Sequence, residues 1–220
     1  MNNISKSPEI SSPKHQLHLY GYENHFNSFV KFFKKNKLPN TILLSGQKGS
    51  GKATFAYHFI NYLLSYNEKD KYLVSDFAIN SENKSYRNLC NNTHPNFSLL
   101  DNDGNDENIK IENVRNILKF LSQSTYSSDI KVVLIDNAEC LNINSSNALL
   151  KALEEPSDST YFFIINNAAN KVSDTIKSRC IEFKFFFSPL EKKRILSKIY
   201  DQYNFNFNLE EIDDNFYIDS

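Results

Sequence analysis

The chain has 220 residues, 40% of them hydrophobic, which is room for one full domain and part of another. Lys and Arg total 25 against 26 acidic residues, a formal charge of -1, so there is no global basic field and any nucleic-acid contact must be local or made through partners. Cys90, Cys140 and Cys180 lie far apart without paired-ligand spacing, which suits a reduced, cytoplasmic setting. No run of 18 apolar residues occurs and the first fourteen residues lack an apolar core, so neither a membrane span nor a secretion signal is expected.

In chain order, residues 1–14 read as a flexible polar tail, followed by a nucleotide-binding domain over 15–187. Phe26, Phe29, Val30 and Phe33 fall at i, i+3, i+4 and i+7, which predicts an amphipathic helix from His25 to Asn36, ended by Leu38-Pro39-Asn40. Lys31-Phe32-Phe33-Lys34-Lys35 has the composition of a stacking and phosphate surface, but a solvated lysine face on that helix is the favoured reading. Thr41-Ile42-Leu43-Leu44-Ser45 predicts a short buried strand, and Phe55 to Leu64 a helix.

Between them lies Gly46-Gln47-Lys48-Gly49-Ser50-Gly51-Lys52-Ala53-Thr54. Strand, glycine loop and helix in this order form a phosphate-binding loop. Glycines let successive backbone N–H groups converge on one phosphate, the helix adds the positive end of its dipole, and Lys52 adds an ammonium. Three of the five glycines in the chain are here, which sets the loop apart from a turn with an incidental lysine. Gly46, Gly49, Ser50, Gly51, Lys52 and Thr54 are the expected phosphate ligands. Ala53 stands where the motif wants Ser or Thr for Mg²⁺, and a methyl group cannot coordinate a metal. Thr54, rotated by about 100° along the helix, is expected to face away from that metal position.

Asn67 to Pro95 is irregular and polar, with short helices expected around Tyr72–Phe77 and Tyr86–Cys90. Phe97–Leu100 predicts a second strand. Asp101 to Asn108 is an acidic loop whose Asp101, Asp103, Asp106 and Glu107 lack the closing Glu of a calcium loop and so read as a solvated turn. Ile111, Val114, Ile117, Leu118 and Leu121 mark a helix. Lys131–Ile135 is short, apolar and β-branched, and Asp136 ends it at the sheet edge where doubly wound folds bind ligands. A helix over Ser145–Leu153, a strand over Tyr161–Ile165 closed by Asn166 and Asn167, a helical turn over Thr175–Arg179, a strand over Ile181–Phe187 and a helix over Pro189–Tyr203 complete the pattern. Apolar strands alternating with helices imply an α/β fold with a parallel sheet flanked by helices.

Leu38-Pro39-Asn40, the glycine loop, Thr93-His94-Pro95-Asn96, Val132 to Leu141, Asn147 to Pro156 and Ser178-Arg179-Cys180 occur in this order in a known family. The chain resembles the bacterial clamp-loader ATPases of the AAA+ class from about Leu19 to Phe187, and within them the delta-prime subunits of the DNA polymerase III holoenzyme. The resemblance implies a P-loop AAA+ domain followed, over 188–220, by the beginning of a small helical lid, without the family's collar. It implies as partners the gamma/tau and delta subunits, the sliding clamp and, through the complex, primer-template DNA, with no membrane. It casts Arg179 as an arginine finger acting in trans on a neighbour's ATP, a task that suits a planar, permanently charged guanidinium. Asp136 would serve the nucleotide site, and Asn166 or Asn167, with Asn166 preferred, the γ-phosphate sensor. Motor subunits carry Asp-Glu where this chain has Asp136-Asn137. Asn cannot accept a proton from water, so ATP binding at a degenerate site with poor Mg²⁺ retention and little or no hydrolysis is expected. Of the family's four zinc cysteines only Cys90 is present, near His94, so no zinc is expected. The alternatives are a self-sufficient AAA+ ATPase, with Thr54 or water replacing the lost metal ligand and Glu139 as base, and a phosphotransferase sharing only the loop.

Overall fold

The computed structural model describes residues 11–102, 108–123, 130–157, 159–167 and 172–202. Its strands are β1 (Thr41–Gly46), β2 (Phe97–Leu100), β3 (Lys131–Ile135), β4 (Thr160–Asn167) and β5 (Ile181–Phe185). The helices are α1 (Glu23–Lys34), α2 (Lys52–Leu64), α3 (Lys84–Cys90), α4 (Ile111–Ser122), α5 (Ile143–Glu154), α6 (Asp174–Lys177) and α7 (Pro189–Gln202). The five strands form one sheet in the order β2-β3-β4-β1-β5, and every pairing is parallel.

The continuous apolar strands conceal a period of two, because side chains alternate across the sheet. Ile42, Leu44, Val132, Leu134, Phe163 and Ile165 face one core with Phe26 and Phe29 of α1 and Phe55 and Phe59 of α2. Leu43, Val133, Ile135, Phe162 and Ile164 face a second core built from α4, α5 and α6. Phe55 and Phe59 are fully buried, and burying such a ring stabilises the fold by roughly 1.5–3 kcal/mol.

Several boundaries differ from the sequence pattern for local reasons. Helix α1 stops at Lys34 because Asn36 turns left-handed at φ 52°. Helix α5 starts at Ile143, two residues early, because the Asn142 side chain accepts the Ser145 N–H at 2.9 Å. The helix expected around Tyr72–Phe77 is absent. There Leu73 bridges Ala78 antiparallel, Phe77 takes φ 48°, and its carbonyl accepts the Leu19 N–H at 3.0 Å. Strand β5 ends at Phe185, short of Phe187.

Of the stretch read as a tail, residues 1–10 lie outside the described residues, as do Asp103, Asp106, Glu107 and Tyr203. From Ser11 on the chain is placed against α3: Lys14 Nζ donates to the Cys90 carbonyl at 3.2 Å and Cys90 Sγ to the Lys14 carbonyl at 3.4 Å.

Candidate nucleotide site

A cavity of about 390 Å³ opens at the C-terminal edge of β1, β3 and β4, a volume in the range of small-molecule sites. Its floor is Gly49, Ser50, Gly51, Lys52, Ala53 and Thr54. Asp136, Asn137 and Asn167 close it from the strand ends, and Phe187, Ile195 and Ile199 from the α7 side. Ser11, Pro13, Gln16, His18, Leu19 and Tyr20, in the segment leading into α1, form a further wall.

Lys52 is 3% exposed and folds back onto its own loop. Its Nζ donates to the carbonyls of Gly46 at 3.0 Å and Gln47 at 2.6 Å and lies 3.4 Å from Ser50 Oγ. Burial pulls its pKa down to about 8, against the opposing pull of Asp136 and Glu139. Burial, reinforced by Asp101, pushes the Asp136 carboxyl up to about 6.

Asn137 sits at φ 52° with every polar hydrogen engaged. Its amide donates to Asp101 Oδ1 at 2.9 Å and to Asn102 Oδ1 at 3.2 Å, and its oxygen accepts from Asn167 Nδ2 at 3.0 Å. Glu139 closes the network by accepting from the Asn167 side chain at 2.8 Å and from its backbone N–H at 3.2 Å. Asp101 and Glu139 thus hold this end of the cavity; the sequence offered Glu139 only as the base of the alternative ATPase reading and took Asp101 for part of a solvated turn. Their signal was weak because Asp101 follows β2 directly and Glu139 sits in a single 3-10 turn, Ala138–Cys140, just after β3, too short for a periodic pattern.

Gly49, Ser50, Gly51, Lys52, Thr54 and Asp136 come together as expected. Gly46 and Asn166 do not line this cavity. They line a second one, of about 660 Å³, between the loop and β5, which Ser50 also touches. Of the two residues named for the γ-phosphate sensor, Asn167 and not the preferred Asn166 lines the first cavity: alternation along β4 puts Asn167 on the face of Ile165, which borders that cavity, and Asn166 on the other. Gly46 serves close packing, since a Cβ there would stand 2.1 Å from the Phe185 carbonyl. Among the described residues no group of three or more His, Cys, Asp or Glu is placed to hold a metal ion. No helix among them is long and apolar enough to cross a membrane.

Arg179 follows α6 and lines neither cavity. Its guanidinium lies 3.4 Å from both Glu154 carboxylate oxygens and donates to the Thr175 carbonyl at 2.8 Å. Its Nε is buried without a hydrogen-bond partner.

Residues 21–188 match the family described as DNA polymerase III, delta subunit. Among individual proteins, the chain is 34% identical over 140 residues to DNA polymerase III subunit delta' of Pseudomonas aeruginosa, covering 64% of this chain and 41% of that protein. It is 29% identical over 170 residues to the delta' subunit of Bacillus subtilis, covering 77% and 48%. It is likewise 29% identical over 189 residues to the gamma/tau subunit of Mycoplasma genitalium, covering 82% and 28%. The chain spans about half the length, or less, of these relatives. In fold it is similar to a DNA polymerase III gamma subunit-related protein of Thermotoga maritima, with TM-score 0.53 and 22% identity over 80% of this chain and 52% of that one. The RuvB Holliday junction branch migration motor of Thermotoga maritima superimposes with TM-score 0.53 and 17% identity, over 90% and 57%. The chain belongs to the DNA polymerase III, delta subunit family, where it is delta-prime-like, with a P-loop α/β fold.

Proposed function

We propose that the chain is a stationary clamp-loader subunit, one that holds a nucleotide without hydrolysing it and contributes Arg179 to the ATP site of a neighbour. Its partners in this reading are gamma/tau- and delta-type subunits, with the sliding clamp and primer-template DNA reached through the assembly. Residues 15–187 form the AAA+ module, and α7, whose Ile195 and Ile199 border the cavity, begins the lid.

The observation that carries the reading is the bonding of Asn137. The position following the strand-end aspartate needs a base to orient water and take its proton. Here it is an amide with both hydrogens and its oxygen already bound to Asp101, Asn102 and Asn167. Glu139, the substitute base of the self-sufficient ATPase reading, is spent on Asn167. The backbone N–H groups at the start of α2 and a released Lys52 fit a polyphosphate. The donor set does not fit a catalytic magnesium ion, because Ala53 offers no side-chain oxygen where the motif needs a hydroxyl.

Arg179 lies outside its own cavity, half-buried just after α6 beside the exposed Glu154, and the reading has it leave that pairing for a neighbour's site. A guanidinium there would offset charge developing on a transferring phosphoryl group, an effect of roughly 10³–10⁵ in related reactions. The test is Arg179→Ala in the loader assembled with its gamma/tau and delta partners. ATP turnover at the interface served by this subunit is expected to fall while the chain stays folded. Unchanged turnover, or magnesium-dependent turnover by the isolated chain that Lys52→Ala abolishes, would overturn the reading.

A further inference from the structure

Tyr22 is 2% exposed, and its hydroxyl donates to the Ser50 carbonyl at 2.8 Å, in the middle of the phosphate loop. No sequence motif marks it. A trans peptide points its C=O and its following N–H in opposite directions. A Ser50 carbonyl held toward Tyr22 therefore turns the Gly51 N–H away from the ring, and Gly51 itself lines the cavity. Gly51, at φ 79°, has no side chain to prevent the peptide from rotating, and a Cβ there would lie 3.5 Å from Tyr22 Cε2. The hydroxyl supplies the restraint that the glycine lacks.

The same ring is tied to the segment that enters α7. It stacks on Phe187 with centroids 4.2 Å apart at 26° and touches Phe185 at 4.5 Å. Next to it, Gly21 packs so closely that a Cβ would stand 2.4 Å from Ile195 Cδ1 and 2.7 Å from Phe187 Cε1. Phe187 and Ile195 border the cavity. One residue thus touches both the loop that would hold phosphates and the entry to the helix that would cover the nucleoside.

We propose that Tyr22 is a positioning residue for the phosphate cradle, fixing the Gly51 N–H toward a nucleoside polyphosphate and tying that orientation to the docking of α7 through Phe187. The proposal rests on reading the cavity as a nucleotide site. It deepens that reading by making the affinity depend on a hydroxyl bonded to the loop backbone.

Tyr22→Phe keeps the ring and removes only the restraint. The full chain is labelled with ¹⁵N-glycine, which yields few signals because the sequence holds 5 glycines. In the absence of nucleotide, Tyr22→Phe is expected to broaden or mobilise the Gly51 amide while leaving Gly46 unchanged. Calorimetric ADP affinity should weaken about tenfold, the scale of one hydrogen bond to a charged group. Phe187→Leu, which leaves the hydroxyl in place, is expected to mobilise Gly51 as well. A rigid Gly51 in Tyr22→Phe, or a mobile one with unchanged ADP affinity, overturns the proposal, and a rigid Gly51 in Phe187→Leu overturns the tie to α7. A mobile Gly51 in a protein that binds no ADP even as wild type keeps the positioning role and removes the nucleotide reading instead.

Discussion

His58 lies in α2 with no exposed surface, and protonating it in place should unfold the domain from within. Its Nδ1 is 2.9 Å from the Tyr72 hydroxyl, and its Nε2 is buried with no hydrogen-bond partner. Burial pushes its pKa from the ordinary histidine value of 6.5 down to about 3; the Gln16 backbone opposes this only partly, and His18 adds repulsion. The unfolded chain binds this proton near pH 6.5 and the folded chain only near 3, so stability is complete above 6.5 and is lost as the pH falls through that window. The linkage amounts to about 2 kcal/mol between pH 8 and 5. His58→Gln keeps a polar partner for Tyr72 but cannot titrate. Urea unfolding of both proteins at pH 7.5, 6 and 5, followed by far-UV circular dichroism, should show the wild type losing about 2 kcal/mol more than the variant. Parallel profiles, or a His58 resonance titrating near pH 6 in the folded protein, would refute the reasoning.

Lys52 supplies a second pH dependence. Its ammonium is disfavoured above about pH 8 until a polyphosphate favours it, so ADP binding should take up protons and weaken as the pH rises beyond 8. Calorimetry at pH 8.5 in buffers of different ionisation enthalpy measures the uptake, and a flat affinity from pH 7 to 9.5 would count against it. Asn137→Asp sets a carboxylate oxygen against Asp101 Oδ1, now 2.9 Å from the Asn137 amide. We expect a loss of about 2 kcal/mol at pH 7.5, largely recovered relative to wild type at pH 5, where the two carboxyls can share a proton. A pH-independent difference in urea midpoints would show that charge is not the cause.

The sheet was legible because its strands are short apolar runs, and the loop because glycine is so scarce elsewhere. The site's second layer was not. Nothing local to Asn166 and Asn167 states which of the two faces the cavity, since that depends on which side of β4 receives α2. The alternation through Phe163 and Ile165 decides it only once the two cores are known. Tyr22, Asp101 and Glu139 act across more than a hundred residues or from irregular backbone, where periodicity carries no signal. The helix read around Tyr72–Phe77 failed for a different reason: Tyr72 is needed at His58 and the Phe77 carbonyl at Leu19, and those contacts override local preference.

Strand β1 lies between β4 and β5, with Thr41 paired to Phe162 and Ile42 to Ile181. On the ribosome, Ile42, Leu43 and Leu44 therefore emerge long before either neighbour exists. At ordinary elongation rates of about 5–20 residues per second, they wait roughly 6 to 28 s for their partners. Throughout that interval a bare apolar strand and the glycine loop behind it stay open to chaperones and to pairing with other nascent chains. The phosphate loop, encoded in the first quarter of the sequence, is thus among the last parts of the domain to acquire its shape, and its assembly marks completion of the sheet.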